Sequence, residues 1–476
     1  MSDHQRADTV LAEHSCRTPQ LDVFARQGIR FTQAFCPSPH CCPSRATFMT
    51  GLYPSRHGVW NNVGNATALS RGVPPAIPQW SQALARAGYD LAYSGKWHVS
   101  AEEGPAARGW RELFVSGHRK DELDATWQRY AAVAAEPEPM PRGEGEILRP
   151  GYGTYRAYAN TGAELPRHDE EAVARALDEI PRLAAGGAPW ALFVGATSPH
   201  DPYDAPGRYL DLYRPDEIAL PPNYADDLAD KPRIYRRMRE MRWGQLTPRE
   251  AREAIRHYYA LCSYLDAQFG RLLEALEKTG QARRTLVLYC SDHGDYCGEH
   301  GLFAKGIPCF QGAYHVPAIL RWPDGIARPG RSEPSFVSLA DFAPTFAELA
   351  GAPSLPAATG RSLVPFLRAD MPAGWRDEMH TQCNGVELLY TQRSVMTRDW
   401  KYVFNGFDDD ELYDRRADPL ELRNLVRDPS HAGIVREMCR RLWRFARREN
   451  DAAIQNYITV SLAPWGPAEA LRDKRS

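Results

Sequence analysis

The chain has 476 residues, 43% hydrophobic and 25% charged, with a formal net charge of −2; this is the balance of a globular protein with a sizeable core, and it supplies no field to draw nucleic acid or an acidic membrane surface. No apolar run reaches bilayer length, and the opening MSDHQRADTVLAEHSC lacks the apolar core of a signal peptide. The ten cysteines, adjacent only at 41 and 42, are no disulfide framework, so the expectation is a reduced, cytoplasmic enzyme with neither nucleic-acid nor membrane partner.

The first stretch that carries chemistry is PSPHCCPSRATFMTG, residues 37–51. Pro43 suits the first turn of a helix, and RATFMTG continues that helix to Gly51. Cys41 therefore sits at or just before a helix N-terminus, where free N–H groups favour anions, and Arg45 follows four residues on. A thiol there would be acidic and reactive. The competing readings are a buried structural cysteine or a zinc set of Cys36, His40, Cys41 and Cys42, whose tight spacing does not match the usual paired ligands.

Farther on, IPQWSQALARAGYDLAYSGKWH reads as a helix from Ile77 to Arg86, a stop at Gly88 and a strand ending near Tyr93. PWALFVGATSPH is a buried strand, Trp190 to Gly195, running into a turn. AREAIRHYYALCSYLDAQFGRLLEALEKTG is a long amphipathic helix closed by Lys278 and Gly280, and TLVLYCSDHGD holds a buried strand from Leu286 to Cys290. Alternating apolar strands and helices predict an α/β fold with a mostly parallel sheet covered on both faces. The polar clusters SGKWH, SPHDPY and SDHGD each follow a strand, at the edge where such sheets bind ligands. From about 365 the pattern changes: RSVMTRDWKYVFNG and DDELYDRRADP alternate as antiparallel strands, and AGIVREMCRRLWRFARREN is a terminal helix with a basic end. The expected division is 1–365 and a smaller α+β domain over 366–476, crossed near RADMPAGWRDE.

Cys41, Pro43, Ser44, Arg45, Thr50 and Gly51 resemble the signature of the sulfatase family. RTPQLDVFARQGIRFTQAFCPSPHC before it, YPSRHG after it, the three polar clusters, ADFAPTFAELAG and the segment from RDWKYVFN to ELRNLV also resemble family segments in the family's order. The resemblance covers nearly the whole chain. It implies an alkaline-phosphatase-like α/β fold and a sulfuric ester hydrolase. It implies conversion of Cys41 to formylglycine by a formylglycine-generating enzyme. It implies catalytic roles for Cys41, Arg45, Lys96, His98, His200 and Lys305, with His200 or His98 protonating the departing alcohol. It implies one divalent cation held by Asp3, His4, Asp292 and His293. His4 stands where many members carry a second aspartate. An oxygen-rich set with imidazoles suits Ca²⁺, Mg²⁺ or Mn²⁺, and the histidines favour Mn²⁺. Read singly, Asp292–His293 could be a helix cap, Lys96 and Lys305 solvated lysines and His200 turn chemistry; they recur together and in order. His315 reads as a structural histidine.

One departure is evident. Family members open with an apolar strand that delivers the first acidic ligand, and here Asp3 follows Met1 after one residue, so that strand is expected to be missing and its neighbours' backbone groups unpaired. The expectation drawn from it is that the natural protein is longer. Three other functions fit the same residues: phosphonate monoester or phosphodiester hydrolysis, a truncated non-catalytic member that binds anions, and a cysteine hydrolase using unmodified Cys41. Residues 101–170, with Arg119, Lys120 and the aromatics of GYGTYRAYANTG, are candidates to line a pocket for a small sulfate ester or to be a surface excursion. Oligomeric state is not readable.

Overall fold

The computed structural model describes the chain except residues 66, 118–127, 129, 136–141, 161–166, 356–357, 387, 453–456 and 473–476. Arg119 and Lys120 lie outside the described residues.

The strands of the three larger sheets, in chain order, are β1 Ile29–Phe35, β2 Asp90–Lys96, β3 Arg111–Ser116, β4 Trp190–Gly195, β5 Val287–Cys290, β6 Ala318–Arg321, β7 Arg331–Ser338, β8 Glu378–Cys383, β9 Gln392–Thr397, β10 Trp400–Asn405 and β11 Glu411–Asp414; short strands at Glu146–Arg149, Gly153–Arg156, Tyr158–Asn160 and Tyr203–Ala205 form two small two-stranded sheets. The helices used below are α1 Pro19–Arg26, α2 Cys41–Thr50, α3 Trp80–Arg86, α4 Arg167–Ala185, α5 Pro248–Lys278, α6 Phe342–Leu349 and α7 Ala432–Arg448. One sheet has the order β7–β1–β6–β5 and another the order β3–β2–β4. β2 runs parallel to both its neighbours and β1 runs parallel to β7. β6 is antiparallel to β1 and β5. Apolar side chains of the covering helices close one continuous core that includes Phe48, Trp80, Phe193, Ile255 and Phe342. The fold is therefore α/β and mostly parallel, as its buried apolar strands require. The C-terminal part adds a smaller α+β domain: the antiparallel sheet β8–β9–β10–β11 under α7, with Val395, Phe404, Leu442 and Trp443 between them.

Met1 and Ser2 lie between β4 and β5, the facing edges of the first two sheets. The α-amino group donates to Val194 O (2.8 Å), Ala196 N–H to Met1 O (2.9 Å), Ser2 N–H to Cys290 O (2.9 Å) and Asp292 N–H to Ser2 O (3.2 Å). The facing edges of β4 and β5 border an apolar cavity of about 590 Å³, lined by Trp190, Leu192, Val194, Phe269, Leu276 and Leu288.

Three boundaries differ from the sequence reading. β2 does not stop near Tyr93 but runs to Lys96. Gly95 permits this: its φ is +109° and a Cβ there would lie 2.0 Å from Gly195 O, an approach only glycine allows. α3 begins at Trp80, not Ile77, because Gln79 and Gln82 form its capping box. α5 begins before Ala251, where Thr247 and Glu250 close a reciprocal cap around Pro248, the pattern that starts helices.

Candidate active site

α2 begins at Cys41 itself and ends at Gly51, whose φ of +74° closes it; the reading of a thiol at a helix N-terminus is what the backbone shows. Every residue of α2 is buried. Cys41 Sγ lies 3.3 Å from His293 Nε2, 3.6 Å from Lys96 Nζ and 3.7 Å from Asp3 Oδ1. Burial pushes this thiol up, but Lys305, Lys96 and His293 together outweigh burial and hold it well below the ordinary thiol range. A thiolate stabilised by that many cations marks a centre arranged for an anion.

The clusters that follow β2, β4 and β5 converge on Cys41 because those strands end side by side. Lys96, the last residue of β2, pairs with Asp3 through its ammonium. Arg45, one turn along α2 from Cys41, donates from Nε to Asp292 Oδ2 (2.7 Å) and from Nη1 to Lys96 O (2.9 Å), while its Nη2 is buried without a hydrogen-bond partner among the described residues. His98 Nδ1 is buried without a partner in the same sense. Lys305 Nζ is 3.0 Å from His200 Nε2 and contacts His4 Nε2. Burial works against the charge on Lys305, yet Cys41, Asp201 and Asp3 raise it above the ordinary lysine value. Lys96, Lys305 and Arg45 are thus fixed cations, not solvated surface groups.

The histidines form a stack. The rings of His200 and His4 have centroids 4.0 Å apart, and those of His4 and His293 4.3 Å apart. Their protonation follows from their partners. His293 Nδ1 faces Gly294 O (2.9 Å) and His200 Nδ1 faces Asp201 O (2.5 Å). A carbonyl can only accept, so both carry Nδ1–H and turn Nε2 inward. His4 Nδ1 faces Asp295 Oδ2 at 3.1 Å, the same arrangement with a carboxylate.

Asp3, His4, Cys41 and His293 each offer a ligand atom, all within 4.8 Å of one another. Two inward Nε2 atoms and a carboxylate, each imidazole braced at Nδ1, are a donor set that fits a divalent cation. The Oδ2 of Asp292 is held by the Arg45 guanidinium and its Oδ1 accepts from His293 N–H (2.9 Å) and His4 N–H (3.4 Å). Asp292 is not among the four residues whose ligand atoms converge most closely, but its Oδ1 lies 3.9 Å from His293 Nε2, beside them. The zinc set does not assemble: the groups able to converge on an ion among the described residues contain neither Cys36 nor Cys42. Cys42 Sγ instead accepts from Val63 N–H. All ten cysteines are free and buried. His315 is structural: Nε2 donates to Thr32 O (2.9 Å) and the ring stacks on Phe35.

Asp201, Asp295, Tyr155 and Tyr203 also reach the site, and the sequence reading assigned none of them. Tyr155 donates to Asp201, which faces His200, and Tyr203 donates to Asp295. Asp201 and Tyr203 lie inside the SPHDPY cluster, Asp295 inside SDHGD and Tyr155 among the GYGTYRAYANTG aromatics, so their place in those segments was the available signal, though not their pairing. Among the described residues no helix is long and apolar enough to cross a membrane.

The sulfatase family model matches residues 1–352, and the model described as N-sulphoglucosamine sulphohydrolase, C-terminal, matches residues 298–448. A choline-sulfatase of Rhizobium meliloti (strain 1021) is 33% identical over 428 residues, covering 86% of this chain and 78% of its own. An uncharacterized sulfatase, YidJ, of Escherichia coli (strain K12) is 30% identical over 462 residues, covering 94% and 85%. The phosphonate monoester hydrolase of Agrobacterium radiobacter shares the fold, with a TM-score of 0.75 at 24% identity over 94% of this chain and 95% of that one.

Proposed function

The chain belongs to the sulfatase family, and as a sulfuric ester hydrolase, we propose, it cleaves a small sulfate monoester with a formylglycine nucleophile derived from Cys41. The observation that carries this reading is the ring of cationic groups about one buried thiol: Lys96, Lys305, His293 and His200 all act on Cys41 Sγ. Replacing that thiolate by a neutral aldehyde hydrate removes an anion and leaves the cations for the sulfate oxygens, where charge develops as the ester bond breaks. The Cys41, Pro43 and Arg45 spacing is the part of the sequence that resembles the family's conversion signature.

A divalent cation held by Asp3, His4 and His293, with Asp292 adjacent, would supply Lewis acidity at the nucleophile. Mn²⁺ or Ca²⁺ suits such a mixed set. The chain's own residues do the rest. Arg45 Nη2, 3.9 Å from Asp3 Oδ2 and without a hydrogen bond among the described residues, can bind the nucleophile's oxygen. Lys96 and Lys305 neutralise the sulfate. His200, with Nδ1 anchored on a carbonyl and a side chain 32% exposed, stands on the open side of the site to protonate the departing alcohol. Maturation then requires a formylglycine-generating enzyme as partner.

Parallel assays of matched aryl sulfate and aryl phosphonate esters test the reading. Hydrolysis of the sulfate with the higher kcat/KM, lost in Cys41→Ala, is the expected result. Preference for the phosphonate ester moves the function to phosphorus chemistry. Activity on neither, with the cation bound, leaves an anion-binding protein.

A further inference from the structure

Among the residues near the site that hold left-handed backbone without being glycine, three share a support: His4 (φ +70°), Cys297 (φ +46°) and Ala304 (φ +58°). Such conformations persist only where surrounding groups fix them. All three are tied to one buried pair. Asp295 Oδ1 accepts from Cys297 N–H (2.8 Å), and Asp295 Oδ2 faces His4 Nδ1 (3.1 Å). Tyr203 Oη donates to that same Oδ2 (2.8 Å) and accepts from Ala304 N–H (3.1 Å). Ala304 immediately precedes Lys305. Asp295 and Tyr203 are both wholly buried, and Tyr258 completes the brace by donating to His4 O (2.6 Å).

We propose that Asp295, held by Tyr203, is a positioning residue that fixes His4 with its Nε2 turned to the cation site and, through the same tyrosine, sets the turn that presents Lys305. This rests on the reading that His4 shares a divalent cation with Asp3 and His293. The logic is chemical. Asp201 Oδ1 also lies near His4 Nδ1, but at 3.5 Å, against 3.1 Å for Asp295. Oδ2 already accepts from Tyr203 Oη and Oδ1 from Cys297 N–H, so Asp295 meets His4 as an acceptor, which makes Nδ1 the protonated nitrogen and leaves Nε2 with the lone pair. An imidazole ligand, unlike a carboxylate, must be turned to present one particular nitrogen, and Asp295 supplies that orientation. One tyrosine hydroxyl then links the metal side of the site to the sulfate side.

The test uses the full chain, stripped of metal by chelation and titrated with Mn²⁺, with free Mn²⁺ read by its electron-spin resonance. Asp295→Asn is expected to weaken Mn²⁺ binding by about 10- to 100-fold with unchanged circular dichroism. Tyr203→Phe, which removes one oxygen atom, is expected to weaken it less and to raise KM for an aryl sulfate through Lys305. Nitrogen-15 spectra of histidine-labelled, metal-free protein are expected to show His4 as the Nδ1–H tautomer, and a changed His4 signal in either variant. These two readouts involve no substrate, so they stand if the ester assigned above is wrong. If the wild type binds no Mn²⁺, the tautomer alone decides. A His4 protonated on Nε2, or Mn²⁺ affinity unchanged in Asp295→Asn, overturns the proposal; if Asp295→Asn does not fold, unchanged affinity and spectra in Tyr203→Phe overturn it.

Discussion

An alkyl alkoxide is a poor leaving group, so the histidine that protonates it is the residue on which turnover of unactivated esters depends. His200 and His98 are the two candidates. Burial and Lys96 hold His98 below the ordinary imidazole value, so it is neutral at neutral pH. Burial and Lys305 lower His200, but Asp201, Asp3 and Cys41 outweigh them and raise it. We expect His200→Ala to cost roughly 10²- to 10⁴-fold in kcat on an alkyl sulfate and progressively less on aryl sulfates with more acidic phenols. The slope of log kcat against leaving-group pKa checks this; a steeper slope in His98→Ala in place of His200→Ala reverses the assignment. The sequence showed Cys41, Lys96, His98, His200 and Lys305 because each lies in a short cluster beside a strand. It did not show that Tyr203, the last residue of SPHDPY, holds Asp295, a link that spans a separation of 92 residues and has no local pattern. Nor did it show that the buried Arg45 guanidinium pairs with the Asp292 carboxylate.

At the scale of elements, β8 is fastened to α7 by a carboxylate. Glu378 accepts from Arg441 (2.8 Å) and faces His380 Nε2 (2.9 Å). Burial pushes Glu378 up, but His380 and Arg441 prevail and lower it from 4.5 to about 2. The stability this lends is fully present above pH 4.5 and is lost as pH falls toward 2. Glu378→Gln is expected to lower stability at pH 7 by about 1–2 kcal/mol and to flatten the loss of Tm below pH 4.5; thermal melts between pH 3 and 7, on the scale of ordinary carboxyl titration, read both. A different element-level test concerns the cavity between β4 and β5. A short apolar segment joined ahead of Met1 can pair with both strand edges and bury their side chains. It is expected to raise Tm, whereas a glycine–serine segment of equal length is not. Element existence was legible from apolar runs. Boundaries were not, because a capping box started α3 and α5 and one glycine let β2 continue past Tyr93.

The whole molecule is held around its site from several distant segments. Residues 3–4, 41–45, 96–98, 200–201, 292–295 and 305 meet only when the strands are assembled, so a ligand that bridges them stabilises the fold by mass action. A saturating divalent cation at about 100 times its Kd adds about 2.7 kcal/mol. Treatment with a chelator is therefore expected to lower Tm, and Mn²⁺ or Ca²⁺ to restore it, with no restoration in His293→Ala. An unchanged melt would mean that the histidine–carboxylate group holds no ion. The α/β class, the small C-terminal sheet and the family were readable in the sequence, since each rests on order along the chain. The way Met1 and Ser2 bridge two sheet edges was not, because it depends on what lies across from them.

The central claim is that Cys41 becomes the nucleophile as formylglycine. The most direct measurement is the mass of the proteolytic peptide spanning Cys41, from protein co-expressed with a formylglycine-generating enzyme. The account predicts a peptide lighter than its thiol form that reacts with a hydrazide, and hydrolysis of aryl sulfate in proportion to the converted fraction. A peptide that retains its thiol in a preparation that still turns over the ester would contradict it.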